Sequence, residues 1–171
     1  MRTAFAAVLG LAVAIAIACG SSSNPGGNRF AANLDGPTET PPRVSSGTAT
    51  ASFVDDGAGT MTFTVTAQNL TTNWTLAHIH LADAGVAGGV IVDLATGNNG
   101  TSLPPSATSG TITGTITKPN PGALNPGPTL GDGGTMTYAD LLTLMRNGNT
   151  YVNIHTTRFP AGELRGQVAP Q

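Results

Sequence analysis

Three histidines, His78, His80 and His155, are all the imidazoles this 171-residue chain contains, and two of them stand at i and i+2. Both settings, 76–81 and 151–156, read as β-strands, in which successive side chains alternate between faces. Ala77, Ile79 and Leu81 then share one face of the first strand, and His78 and His80 the other. In the second, Val152 and Ile154 oppose Tyr151, Asn153 and His155. If the apolar faces turn inward, all three imidazoles are expected on the outside of the sheet. A strand rises about 3.3 Å per residue, so an i, i+2 pair is about 6.6 Å apart at Cα. Both rings can turn toward one ion at about 2.0–2.1 Å, and a third from a neighbouring strand closes three corners of a tetrahedron. An all-imidazole set suits zinc or copper. The structural alternative is that the rings bond cross-strand carbonyls, Asn153 or Glu163. Asp83 lies nearby in sequence, but nothing identifies it as a ligand. Asn153, Glu163 and Arg165 are expected to support the site or the fold. Glu163 and Arg165, at i and i+2, could form a cross-strand ion pair that sets register and is worth little if exposed.

These residues need a β scaffold, and the rest of the sequence supplies one. The clearest strand is 60–67, where Met61, Phe63, Val65 and Ala67 alternate with Thr60, Thr62, Thr64 and Thr66. One face is core and the other wet, as in an antiparallel sheet. Further strands are expected at 30–34, 48–54, 76–81, 90–94, 108–116, 151–156 and 163–168. Asp55-Asp56-Gly57-Ala58-Gly59 reads as a hairpin turn, with glycine supplying positive φ. One helix is expected at 137–147. Thr137 and Asp140 resemble a capping box, Tyr138, Leu141, Leu142 and Met145 form one apolar stripe, and Asn147-Gly148 ends it. Trp74 is expected to pack over a sheet edge, and the Pro/Gly-rich 118–134 segment reads as an inserted loop. Short strands, frequent turns and one helix predict an all-β sandwich or barrel of Greek-key type.

Charged residues make up 9% of the chain and the formal net charge is −2, which gives no basic footprint for nucleic acid. The sequence carries no Ser/His/Asp order, phosphate-cradling glycine motif or zinc-finger spacing. The N-terminus reads as an export signal: Arg2, then an uncharged apolar run from Ala4 to Ala18. That run is too short to span about 30 Å of hydrocarbon. It ends at Ala16-Ile17-Ala18-Cys19, which resembles a bacterial lipobox, and Cys19 is the only cysteine. A lone thiol suits acylation better than disulfide formation. The expected organisation is a signal peptide at 1–18, a lipidated Cys19 with a flexible tether to 28, and one β domain at 29–170. Gly20 after Cys19, rather than Asp, fits outer-membrane sorting in a Gram-negative cell.

Several segments together resemble the CHRD (chordin) domain, found in repeats in chordin and singly in bacterial envelope proteins. Ala32-Asn33-Leu34-Asp35-Gly36 through Glu39-Thr40-Pro41-Pro42 looks like its opening strand and E-x-P-P turn. Ala77-His78-Ile79-His80 matches its HIH signature, and Leu141 to Gly148 followed by Tyr151-Val152-Asn153-Ile154-His155-Thr156 matches L-x-x-G-x-x-Y-V-N-x-H-T. Phe159-Pro160-Ala161-Gly162-Glu163-Leu164-Arg165-Gly166-Gln167 matches F-P-x-G-E-I-R-G-Q. The resemblance covers about 30–168. It implies an immunoglobulin-like β-barrel distantly similar to copper/zinc superoxide dismutase, whose copper site also starts from a His-x-His pair. That enzyme uses more histidines than this chain has, together with an active-site arginine for which Arg165 is the nearest candidate.

The leading expectation is a cell-envelope lipoprotein, held to the membrane through Cys19, that displays a binding or structural domain without catalysis to an extracytoplasmic protein or small ligand. The alternative is a copper- or zinc-binding protein using His78, His80 and His155. A diverged redox enzyme ranks third.

Overall fold

The computed structural model describes residues 28–95, 107–117 and 136–171. The expected signal peptide, Cys19, nearly all of the tether and the 118–134 loop lie outside the described residues. Among the described residues, nine strands and one helix follow in the order β1 (Arg29–Asp35), β2 (Thr48–Asp55), β3 (Thr60–Gln68), β4 (Trp74–Leu81), β5 (Gly89–Asp93), β6 (Gly110–Thr117), α1 (Tyr138–Arg146), β7 (Thr150–Thr156), β8 (Leu164–Gln167) and β9 (Ala169–Pro170). They form one antiparallel sheet, ordered β5-β4-β7-β8-β1-β2-β3-β6, that makes a half-barrel, with β9 pairing β1. Consecutive strands β3 and β4 lie far apart in that order, as do β5 and β6, so the chain crosses between wings in the manner of a Greek key.

The Thr-apolar alternation makes the β2-β3-β6 wing. Phe53 pairs with Phe63, and Val65 with Ile112, in continuous register. The buried face carries Phe53, Met61, Phe63, Val65, Ile112 and Ile116, while threonines populate the other. The second wing contributes Ala77, Ile79, Ile91, Val92, Val152 and Ile154 to the same core. The helix adds Tyr138, Leu141 and Met145. Its capping box is complete: Thr137 accepts from the Asp140 N–H, and the Asp140 carboxylate accepts from Thr137. Tyr138 Oη donates to Asp55 at 2.6 Å and ties the helix to the end of β2.

Trp74 departs from expectation. It begins β4, is buried in the core rather than over an edge, and donates its indole N–H to the Leu76 carbonyl at 2.9 Å. A register shift between Trp74 and Leu76 turns the ring inward, and strict alternation could not anticipate it. The last expected strand, 163–168, is shorter, because Val168 turns into the core and bonds Thr150 before β9 begins.

Only one Cα partner pair joins β8 to β1, Asp35 with Arg165, yet the strands approach closely. A Cβ on Gly166 would collide with the Asn33 carbonyl, and backbone cannot yield as a side chain can. Gly166→Ala is expected to destabilise the protein by about 1–3 kcal/mol, seen as a lowered midpoint of thermal unfolding. An unchanged midpoint would show that β8 can shift away from β1 at no cost.

Candidate metal centre

Strand pairing decides how the histidines meet. β4 and β7 are neighbours, with His78 opposite Asn153 and His80 opposite Tyr151. His155, two residues beyond Asn153, is diagonal to His78 on the same face. One ligand atom from each of His78, His80 and His155 lies within 4.8 Å of the others. His78 Nδ1 is 3.0 Å from His155 Nε2, close to the separation of about 3.3 Å that two nitrogens adopt on a tetrahedral ion at about 2.0–2.1 Å.

The far side of two rings is already held. His80 Nδ1 bonds the Gly88 carbonyl and His155 Nδ1 the Pro160 carbonyl, both at 2.9 Å. A carbonyl only accepts, so both rings carry their proton on Nδ1 and turn a bare Nε2 lone pair inward. His155 Nε2 then accepts from His78 Nδ1. His80 Nε2 is buried and has no hydrogen-bond partner. A ligand imidazole whose other nitrogen is fixed by a backbone carbonyl is a recurrent arrangement around bound metals. The two readings of the sequence are compatible: two rings bond carbonyls through Nδ1, which leaves Nε2 of His80 unpartnered and Nε2 of His155 facing His78.

The imidazoles lie on the face opposite the core, as the alternation requires, but they are not open to water. His80 and His155 are buried, and His78 is half-buried. Every residue of β7 is buried, because connecting segments cover its outer face. Burial pushes His78 down to about 4, helped by the neighbouring His155 and His80 and opposed by Asp93. Burial also lowers His80, against the pull of the Gly88 carbonyl. It lowers His155 too, against the Pro160 carbonyl and the Glu39 carboxylate. All three are neutral at pH 7, the form that binds metal.

Around the rings is a polar layer that the sequence only partly disclosed. The Tyr151 ring stacks on His80 with centroids 4.7 Å apart and planes 12° from parallel, and the Arg165 guanidinium sits 3.5 Å from the Tyr151 centroid. Asn153 donates to the buried Glu39 carboxylate. Gly162, at φ +127°, packs against both groups, and a Cβ there would lie 2.5 Å from each. Glu39 was not singled out as a site residue. Its signal was a carboxylate between turn prolines in a chain with few charges.

Glu163 and Arg165 do not pair with each other. Glu163 takes Ser45 Oγ at 2.6 Å, Thr71 N and Oγ1 at 2.8 Å each, and Thr156 Oγ1 at 2.6 Å. Arg165 Nη1 donates to the Val86 carbonyl at 2.8 Å and Thr40 Oγ1 at 3.3 Å, and Nη2 donates to the Asp83 carbonyl at 2.9 Å. Each is buried among connecting segments that had no visible relation to it in sequence. Asp83 touches this layer through its carbonyl, while its carboxylate accepts from Asn149 at 2.5 Å. It is not among the clustered ligand groups.

The CHRD domain family model matches residues 30–168. An all-β half-barrel with this match defines the class: the chain belongs to the CHRD domain family. No curated protein and no solved structure matches it.

Proposed function

We infer that this CHRD domain is a metal-binding module taking one zinc or copper ion on His78, His80 and His155. The observation that carries the reading is the buried, unpartnered Nε2 of His80, aimed with the bare Nε2 of His155 at a third imidazole. Leaving a buried polar atom unpaired costs about 1–3 kcal/mol. A bound ion would remove that cost and use all three nitrogens. A hydrogen bond from His78 accounts for the His155 lone pair, but purely structural packing gives no use to the one on His80.

Titration of the purified protein with Zn²⁺ and Cu²⁺, followed by metal analysis after desalting, tests this. One ion per chain is expected. Each of His78→Ala, His80→Ala and His155→Ala is expected to weaken binding by on the order of 100-fold or more, exceeding the effect of altering a ligand's support. Absence of binding to the unaltered protein at saturating metal would remove the reading.

The module would be displayed at the cell envelope, exported through the general secretory route and anchored by lipid on Cys19. The support is the apolar run before Ala16-Ile17-Ala18-Cys19 and the lack of any other cysteine. Metabolic labelling with a radioactive fatty acid, lost in Cys19→Ala, tests the anchor. A superoxide dismutase-like redox role has less support, because Arg165 binds loop carbonyls instead of standing free to guide an anion.

A further inference from the structure

The segment between β4 and β5, residues 82–88, contributes the carbonyl that orients His80, yet holds itself in place weakly. Its own turn is a single bond, Val86 N to the Asp83 carbonyl at 3.1 Å, around Gly85 at φ +76°. Val86 projects into solvent. Asn149 holds its start, accepting from the Ala82 N–H at 3.0 Å and donating to the Asp83 carboxylate, and the carbonyls along it are held from β8, two strands away from β4 in the sheet. Gln167 Nε2 donates to the Ala82 carbonyl at 2.9 Å, and the Arg165 guanidinium to those of Asp83 and Val86. Both side chains reach across β7, where Tyr151 contacts Arg165 on one side and His80 on the other. Tyr151 Oη also accepts from the Gly88 N–H at 3.2 Å.

We propose that Arg165 is a positioning residue for the candidate metal centre: it clamps residues 82–88 onto the sheet so that Gly88 holds His80 with Nδ1 protonated and Nε2 facing His78 and His155. A fully buried cation is a costly way to fill space, and an aliphatic side chain would pack more favourably. What an aliphatic chain cannot do is bind two carbonyls at once. The planar fork does this in one fixed geometry, and an ammonium does not. The stacked Tyr151 sets the height of that fork above the sheet and lies flat on the ring whose orientation matters. The effect on metal rests on the metal-binding reading; the effect on the His80 ring does not.

Long-range ¹H–¹⁵N NMR of the metal-free protein tests the clamp directly. The unaltered protein is expected to show His80 as a single Nδ1–H tautomer. In Arg165→Lys, His80 is expected to become a tautomer mixture while His155, held by Pro160, keeps its Nδ1–H pattern. Zn²⁺ affinity is expected to fall about 10- to 100-fold with thermal unfolding still cooperative. Arg165→Gln removes the buried charge altogether, serves if the Lys variant does not fold, and is expected to loosen His80 likewise. An unaltered His80 pattern in a folded variant at position 165 would overturn the proposal. If the unaltered protein takes up no Zn²⁺, the functional reading falls and the tautomer pattern still decides the clamp.

Discussion

Glu163→Ala is expected to destabilise the protein more than any other single substitution considered, by about 3–5 kcal/mol, the combined scale of losing several hydrogen bonds to a charged group and leaving buried donors unpaired. The carboxylate is fully buried just before β8. It gathers Ser45 from the β1–β2 connection, Thr71 from the β3–β4 connection and Thr156 from the end of β7. Removing it leaves the Thr71 N–H without its acceptor and three hydroxyls to find others. At about 2–4 °C per kcal/mol for a chain of this size, the unfolding midpoint should drop by roughly 10 °C. Glu163→Gln should lose much less, about 1–2 kcal/mol. Its amide oxygen can take the three bonds made to Oε1, and the Thr156 hydroxyl can rotate to accept from the amide. Equal losses for the Ala and Gln variants in calorimetry would show that the negative charge matters and not the acceptor geometry.

The metal-free protein should become less stable as pH falls from about 6.5 to about 4. The histidines cause this, and the sign follows from their burial. Each has its affinity for protons lowered in the folded state. Below 6.5 the unfolded chain therefore takes up protons that the folded protein refuses. Each imidazole that stays neutral costs up to about 1.4 kcal/mol of stability per pH unit, and for His78 the loss runs to about pH 4. Below 4.5 Glu163 adds a loss of its own. Burial alone would raise it, but its hydrogen bonds outweigh burial and hold it below the ordinary carboxylate value. A depressed carboxylate stabilises above its unfolded value and loses that contribution as pH falls through the folded one. Denaturant titrations at intervals from pH 7.5 to 4 measure the trend, and His78→Gln should make it shallower across the whole range from about 6.5 to about 4. A flat profile between pH 6.5 and 4.5 would mean that the three rings are solvated and readily protonated, contrary to their placement.

Much of the scaffold was legible because local signals agreed with the global fold. Thr60 to Ala67 alternates so strictly that its buried face follows, and Thr137 with Asp140 marks the helix start within one residue. Trp74 was misjudged because a bulge reverses the parity on which such reading depends. The burial of His80 and His155 was missed for a different reason. Alternation says which face a residue takes, but not whether loops later cover that face.

Period-two alternation is a property of neighbours along the chain, so the residue order alone determined an all-β domain and put His78, His80 and His155 on the non-core face of their strands. The tertiary structure decided that β4 lies beside β7 and that Gly88 and Pro160 orient two of the rings. It also decided that Glu163 and Arg165, two residues apart, serve different parts of the molecule. Such contacts join positions separated by up to 125 residues. They depend on how strands and loops meet in space, which no local periodicity encodes.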